Sequence, residues 1–194
     1  MRAIDEFFQD ASDNKEELMQ LLKEAMMRIA YYHRVLKSYE LDALTGLPGS
    51  NKFKETTAGI GGNAAGVGVV FFDVNSLKFY NDTMGHKAGD TLLQKAAESI
   101  LHITSRTVKA YRIGGDEFVA LAMGSDENGM EMLLQKWREK LAELNTSDDG
   151  IHCSIAVGTA IGAEGDKIGD ILRLADERMY ADKKRIKEAE ALTQ

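Results

Sequence analysis

The sequence predicts an α+β fold, and three observations support that prediction. The segment Thr45-Gly46-Leu47-Pro48-Gly49 contains the only proline and follows a first stretch that has neither glycine nor proline. Val67–Val74 is a continuous apolar run rich in β-branched residues, which is typical of a strand buried on both faces. Helical and strand patterns alternate after it, with a hairpin signal at Gly114-Gly115-Asp116. The order β-α-β-β-α-β, with extra helices at either end, is the ferredoxin-like or split-βαβ pattern.

Residues 1–41 are predicted to form a helical, coiled-coil-like stalk, separate from a domain formed by residues 42–194. Apolar residues recur there at alternating spacings of four and three, which is the heptad pattern of a coiled coil. This seam consists of Leu18, Leu22, Ala25, Ile29, Tyr32, Leu36 and Tyr39. Lys15 lies on the same seam and weakens its start. So narrow a seam on so long a helix favours a parallel helical dimer, and packing against the chain's own domain is the alternative.

The elements after Pro48 follow from local patterns in chain order. A short helix is predicted over Ser50–Ala58 with Ser50 as its N-cap, and the strand Val67–Val74 follows it. The loop between them contains glycines but does not match a phosphate-binding loop. The remaining predicted elements are the helix Lys87–Ile103, the strands Thr107–Ile113 and Glu117–Ala122, the helix Asp126–Leu144, the strand Ile151–Ala160 and the helix Lys167–Ala189.

The composition argues against several classes of function. The chain carries 31 acidic and 24 basic residues, a net charge of -7, which disfavours a nucleic-acid-binding surface because phosphate contacts need surplus positive charge. The single cysteine, Cys153, cannot form an internal disulfide and favours a reducing compartment. The sequence shows no apolar run of membrane-spanning length and no signal peptide. We therefore expect a cytoplasmic protein with no membrane segment in this chain, and an upstream sensor domain is compatible with that expectation.

Acidic residues stand at the ends of strands that are predicted to be neighbours. Asp73 ends the apolar strand, where an unpaired carboxylate is costly, and Asp116 and Glu117 lie in the following hairpin. Clustered carboxylates repel one another unless a cation screens them, and oxygen ligands favour Mg²⁺ or Mn²⁺. Zinc is disfavoured because no two histidines, and no histidine with Cys153, show ligand spacing. A plain hairpin turn is the alternative for the segment around Asp116 taken alone.

The polar stretch from Asn75 to Asp90 and the segment YRIGGDEF at 111–118 resemble the GGDEF domain of diguanylate cyclases. These enzymes condense two GTP molecules into cyclic di-GMP. The resemblance begins at Asp42-Ala43-Leu44-Thr45-Gly46-Leu47 and continues through F-D-V-N-x-L-K-x-x-N-D-x-x-G-H-x-x-G-D and GGDEF. It ends at Ala175-Asp176-Glu177-Arg178-Met179-Tyr180 and the pair Lys183-Lys184. It implies a sheet and carboxylates of the kind found in nucleotide cyclases and polymerase palm domains.

The resemblance implies a role for each matching residue. Asp73 and Asp116 would bind Mg²⁺, with the Val74 carbonyl as a further ligand and Glu117 supporting the metal and phosphate region. Asp116 would also receive the proton of the 3′-hydroxyl. The implied nucleotide contacts are guanine recognition by Asn81 and Asp90, a nucleotide contact by His86, and phosphate neutralisation by Lys78, Lys183 and Lys187. The reaction would need two GTP-loaded domains face to face, which the N-terminal helix would bring together as a homodimer.

The chain departs from the family pattern at several places, three of which bear on the site. Asn75 stands where many members have a second aspartate, and Gly49-Ser50-Asn51 replaces the family's asparagine-arginine-arginine, which removes positive charge near the triphosphate. Ser105-Arg106-Thr107-Val108 stands at the R-x-x-D product-inhibition site, so we expect no strong feedback there. Two alternatives to a diguanylate cyclase stay open: a non-catalytic GGDEF module that binds GTP or a protein, and another nucleotide cyclase or polymerase of the palm group.

Overall fold

The computed structural model describes residues 14–16, 18–32 and 40–192. It divides the chain into two compact units, Met1–Glu40 and Leu41–Gln194. In the part of the chain it describes, every helix is too short or too polar to cross a lipid bilayer.

The described residues of the first unit, 14–16 and 18–32, are helical. Their large apolar side chains are solvent-exposed in the single chain: Leu18, Met19, Leu21, Leu22, Met26, Met27, Ile29, Tyr31 and Tyr32. The predicted seam positions Leu36 and Tyr39 lie outside the described residues. Exposure of an apolar helix surface of this kind is costly in water.

The second unit has an antiparallel sheet of four strands in the order β2-β3-β1-β4. Its strands are β1 (Val67–Val74), β2 (Val108–Arg112), β3 (Glu117–Met123) and β4 (Ile155–Ile161). Its helices are α1 (Ser50–Ile60), α2 (Leu77–Met84), α3 (His86–Leu101), α4 (Glu127–Leu144) and α5 (Ile168–Ala191). The predicted α+β, ferredoxin-like fold is confirmed, because β1 lies between β3 and β4 as the split-βαβ topology requires.

Apolar side chains cover both faces of the sheet, as the uninterrupted apolar sequence of β1 predicts. Alternation along β1 sends Val70 and Phe72 to one face, where they meet α3 and α4, and sends Val69 to the other. Phe72 packs against Trp137 of α4 with ring centroids 5.0 Å apart. The opposite face is covered by α1 and α5, for example by Phe53 of α1. A carboxylate at the end of β1 therefore emerges from a sheet that is apolar on both sides.

The structure differs from the sequence prediction in helix α2. Only a polar stretch was expected between β1 and α3, but eight of its residues form a helix. The helix has no fully buried residue, and its apolar side chains Leu77 and Tyr80 enter the core only partly, so its apolar pattern is short and lies within a mostly polar stretch. It starts after Ser76, whose φ of 63° lies in the left-handed region that is costly for a residue with a side chain. The predicted N-cap of α1 was also wrong, since Gly49 rather than Ser50 takes that position.

Helix α5 lies unusually close to the edge strand β4. A Cβ atom on Gly158 would stand 2.1 Å from both the Ala175 carbonyl oxygen and the Met179 nitrogen, so only glycine fits there. This contact fixes the height of α5 against the sheet. It also fixes where the later turns of α5, which carry Lys183 and Lys187, pass the end of β1.

Candidate functional site

Two carboxylate-bearing segments meet at one end of the sheet. Asp73, next to the last residue of β1, is the register partner of Glu117, the first residue of β3. The Val74 amide donates a hydrogen bond to the Asp116 carbonyl oxygen over 2.9 Å. Asp73 is buried, while Asp116 and Glu117 are half-buried and reach solvent at the hairpin. The structure thus brings together the four residues that the sequence analysis assigns to metal binding.

Glycine shapes the hairpin that carries Asp116. The Ile113 and Gly114 amides both donate to the Glu117 carbonyl oxygen, at 2.9 and 3.3 Å. A Cβ atom on Gly114 would stand 2.4 Å from Glu117 Oε2, so the Glu117 side chain folds over Gly114 and would have to move if this residue had a side chain. Gly114 therefore lets an acidic side chain lie back across its own turn.

Arg112 supports the same hairpin, although the sequence analysis assigned it no role. Its guanidinium donates to the Gly115 carbonyl oxygen at 2.6 Å and to Asp42 Oδ1 at 2.8 Å. Burial raises the pKa of Asp42, but hydrogen bonds from Thr45 and Arg112 outweigh that effect and hold the pKa below its usual value. Arg112 thus connects the first matching segment of the chain to the turn that presents Asp116.

The carboxylates of the site repel one another in a partly desolvated place. Burial raises the pKa of Asp73, the nearby Lys183 ammonium offsets part of that rise, and the charge of Asp116 adds to it. Burial also raises the pKa of Glu117, and the charges of Asp116, Asp73 and Asp176 raise it further. The sequence analysis gave Asp176 no role, although it lies about two helical turns before Lys183 on α5. An excess of negative charge at this end of the sheet would attract a cation.

Lysines of α5 supply the positive charge that balances these carboxylates in the described chain. Lys183 Nζ lies 2.6 Å from Asp73 Oδ1, with the side chains 24% and 7% exposed. Lys187 is near enough to lower the pKa of Asp73 as well. Because the lysine stem is flexible, its ammonium group can leave this carboxylate and pair with a more negative group, such as a bound phosphate.

The oxygen atoms at the end of β1 fit a hard divalent cation. Asn75 Oδ1 is buried and accepts no hydrogen bond, and the buried Asp73 Oδ1 is paired with the Lys183 ammonium. Buried oxygens without hydrogen bonds are costly, and a cation would satisfy them. Among the residues that the structure describes, no three His, Cys, Asp or Glu side chains form a ready ligand group. The protein therefore offers a few oxygen ligands only. This suits Mg²⁺, which takes its remaining ligands from water and substrate phosphates.

The predicted nucleotide contacts lie on α2 and α3, which follow β1 directly. Lys78, His86 and Asp90 are exposed, and Asn81 is half-buried. A Cβ atom on Gly89 would stand 2.1 Å from Asn81 Oδ1, so the amide lies directly on the backbone of α3. Within residues 40–192, no hydrogen bond or ion pair joins these four side chains to the carboxylates. They form a second, polar group beside the acidic end of the sheet.

The two charged positions of the family's product-inhibition motif are occupied here by uncharged residues, Ser105 and Val108. Ser105 Oγ accepts hydrogen bonds from the Thr107 and Val108 amides at 3.2 and 3.1 Å. A hydroxyl that caps its own turn offers no charge to a cyclic dinucleotide. The absence of strong product feedback at this position stays a prediction.

Replacing Asp73 with asparagine is expected to raise the melting temperature of the metal-free protein at pH 7 by a few degrees. The folded protein holds the Asp73 proton more tightly than the unfolded chain, because its pKa is raised. At a pH above the raised pKa, the ionised Asp73 carboxylate therefore lowers the stability of the folded protein. This cost disappears as the pH falls to the pKa that aspartate has in the unfolded chain. The difference between the proteins should shrink accordingly towards pH 4.

The measurement is thermal unfolding in EDTA at several pH values. Asp148→Asn, an exposed carboxylate in the segment before β4, is the control and should melt like the wild-type protein. An Asp73→Asn protein that melts at or below the wild-type temperature at pH 7 would contradict the prediction.

Comparisons with known proteins match this combination of fold and site. The family model described as "Diguanylate cyclase, GGDEF domain" matches residues 39–189. The diguanylate cyclase DgcS of Shewanella oneidensis is 27% identical over 85% of this chain and 56% of its own length. The cyclic di-GMP phosphodiesterase PdeR of Escherichia coli is 32% identical over 73% of this chain and 22% of its own length. The chain thus spans only about a fifth to about half of these curated relatives.

A solved structure shares the fold. The coiled coil and GGDEF domain of DgcB from Caulobacter crescentus, in complex with c-di-GMP, superposes with a TM-score of 0.74 at 21% identity. The match covers 88% of this chain and 94% of that one. At this identity, the likeness supports the architecture of the chain and nothing finer.

Proposed function

The chain belongs to the GGDEF domain family of diguanylate cyclases, and from this premise we propose that it is itself a Mg²⁺-dependent diguanylate cyclase. In this reaction two GTP molecules become one cyclic di-GMP and two pyrophosphates. The main support is the meeting of Asp73 with the hairpin of Asp116 and Glu117, beside the Lys183 ammonium. Phosphoryl transfer depends chiefly on positioning and charge neutralisation, which such a site can supply.

Asp73, Asp116, Glu117 and the Val74 carbonyl would hold the cation, Mg²⁺ or Mn²⁺. When bound, the cation would acidify the 3′-hydroxyl and neutralise charge on the phosphates. The buried Asn75 oxygen, which accepts no hydrogen bond, and the buried Asp73 carboxylate beside it support this assignment. Asn75 in place of a second aspartate lowers the negative charge of the site but keeps an oxygen ligand.

The side chains around the cation would bind, orient and deprotonate the substrate. Asp116 would accept the proton of the 3′-hydroxyl. The oxygen of this hydroxyl would then bond to the α-phosphorus of the partner GTP as pyrophosphate leaves. Lys183 and Lys187 would neutralise the triphosphate, and Lys78 and His86 would contact the nucleotide. For guanine, Asn81 would offer a donor and an acceptor, and Asp90 would accept from the ring N–H and the amino group.

The product requires two such domains, because each 3′-hydroxyl must attack the α-phosphate of the other GTP. We propose that the N-terminal helix pairs with a second copy and raises the effective concentration of the second domain. The exposed apolar residues between Leu18 and Tyr32 support this pairing. The partners of the chain would then be GTP and a second copy of itself.

A non-catalytic GGDEF module that binds GTP or a protein is the second candidate. It is favoured by Gly49-Ser50-Asn51, which supplies no basic side chain where the family has two arginines, and α1 begins there without a side-chain cap. A relative of 32% identity named as a phosphodiesterase shows that the fold also occurs in proteins named for another activity. The carboxylates and Lys183 favour the cyclase.

Incubation of the full chain with GTP and Mg²⁺ tests the proposal. We expect cyclic di-GMP, identified by mass spectrometry, with two pyrophosphates released for each product, and no product from ATP. GTP binding without pyrophosphate release would instead identify the non-catalytic module. A monomeric cyclic nucleotide would identify a mononucleotide cyclase, and either result would overturn the proposal.

A further inference from the structure

We propose that Tyr80 is a positioning residue for guanine recognition, which holds α2, and with it Asn81, against the segment 145–154 before β4. The inference rests on the proposed function, because it concerns the residue that would read the guanine base. Tyr80 itself touches no reacting atom. It acts through its neighbour in α2.

The Tyr80 hydroxyl is bonded to backbone atoms far away in the sequence. It accepts a hydrogen bond from the His152 amide at 3.0 Å and donates one to the His152 carbonyl oxygen at 3.2 Å. The Tyr80 ring packs against the apolar core formed by α3, α4 and the sheet. The hydroxyl thus uses both its donor and its acceptor capacity on the backbone of one residue, and the contact does not depend on the side chain of His152.

The segment that receives this contact is anchored on both sides of His152. On one side the buried Lys95 of α3 donates to Asp149 Oδ1 at 2.7 Å and to the Ile151 carbonyl oxygen at 2.6 Å. On the other side the Asn145 side chain bonds both the amide and the carbonyl oxygen of Cys153, at 2.8 and 2.9 Å. Because these hydrogen bonds restrain the backbone on both sides of His152, the contact with Tyr80 can hold α2 in one position.

Helix α2 packs against the core through two partly buried apolar side chains, Leu77 and Tyr80, so the Tyr80 contact is one of those that set its position. It has eight residues, none of them buried, and no side chain caps its N-terminus. Isolated helices of this length are marginal in water. It also follows Ser76, whose left-handed backbone conformation carries strain. Its contact with the 145–154 segment through Tyr80 therefore opposes both fraying and rotation.

The position of α2 decides where the Asn81 amide lies. Asn81 directly follows Tyr80, and its Oδ1 lies so close to Gly89 that no Cβ fits between them. A base-reading amide must hold its donor and acceptor to within about 0.5 Å of the productive geometry. Loss of the Tyr80 hydroxyl would widen the range of positions of Asn81 while leaving the acidic end of the sheet intact.

Tyr80→Phe tests this role, because it removes only the hydroxyl and keeps the ring in the core. We expect GTP to bind about three- to tenfold more weakly, the effect of one or two hydrogen bonds. Binding of ATP should change little, so the preference for guanine falls. The kcat should stay within about twofold, since Asp116 and the metal ligands are untouched. Hydrogen exchange of the α2 amides in the nucleotide-free protein should become faster.

Two variants serve as controls. His152→Ala changes the side chain but keeps the backbone atoms that bind Tyr80, and it should behave as wild type. Tyr180→Phe removes a hydroxyl from an exposed tyrosine of α5 and should also leave binding and exchange unchanged.

The outcomes separate this inference from the proposed function. If Tyr80→Phe speeds exchange in α2 but keeps the wild-type preference for GTP over ATP, the contact is only structural and the inference is overturned. Unchanged exchange would overturn it as well. A wild-type protein that binds no GTP would refute the proposed function first, and the role of Tyr80 with it.

Discussion

Replacement of Asp116 with asparagine should reduce cyclic di-GMP formation by at least about a thousandfold. Asparagine has the shape of aspartate but can neither accept the 3′-hydroxyl proton nor supply a negative charge to the cation. The fold should persist, because the Asp116 carbonyl oxygen, which accepts from the Val74 amide, is unchanged. Loss of activity would therefore reflect the carboxylate alone.

The measurement combines product formation from GTP with thermal unfolding of the same preparation. Asp170→Asn, an exposed carboxylate in the first turn of α5, is the matched control and should keep wild-type turnover. Turnover that persists in Asp116→Asn would remove this residue from the mechanism. A fall in melting temperature of more than a few degrees would point to a structural role instead.

Disruption of the N-terminal seam should lower specific activity at least tenfold at nanomolar protein concentrations. The double variant Leu22→Lys/Ile29→Lys places charges on two seam positions that are one heptad apart. It should oppose pairing while leaving each GGDEF domain folded, since Leu41–Gln194 is a compact unit by itself. Removal of residues 1–40 is expected to have the same effect. Activity should recover at high concentration, where domains meet without the helix.

The matched control is Gln20→Lys/Met27→Lys, which adds the same charge one heptad apart on the opposite side of the helix. A dilution series of both variants, with their molar masses from light scattering, makes the comparison. Specific activity of the seam variant that is independent of dilution and equal to wild type would refute the proposed role of the helix. Equal losses in both variants would show that charge alone, rather than pairing, affects the protein.

Most of the regular structure could be predicted because it depends on local apolar patterns. The run Val67–Val74 and the hairpin at Gly114 predicted two central strands, and the structure confirms them. Helix α2 was not predicted, because its few apolar positions, Leu77 and Tyr80 among them, lie within a short and mostly polar stretch. The N-cap of α1 was wrong for a related reason: several polar or glycine residues near Pro48 suit that position, and local sequence does not choose among them.

The candidate site was predictable only in part. The acidic residues Asp73, Asp116 and Glu117 could be named from the sequence. A carboxylate at the end of an apolar strand costs free energy unless it is paired or binds a cation, so its presence there suggests a function. The roles carried over from the family, including those of Asn81 and Asp90, stay predictions. Arg112 and Asp176 gave no local sign of their contribution, because each acts on a residue that the fold, rather than the sequence, brings near.

The sequence by itself determined the α+β class, the buried strands and the membership of the family, because these depend on periodicity and on ordered motifs within short stretches. Only the tertiary structure decided that Lys183 approaches Asp73, which depends on how closely α5 passes Gly158. It alone decided that the Tyr80 hydroxyl meets the backbone of His152. Contacts between residues far apart in the chain depend on the packing of whole elements, and no local pattern of side chains records that packing.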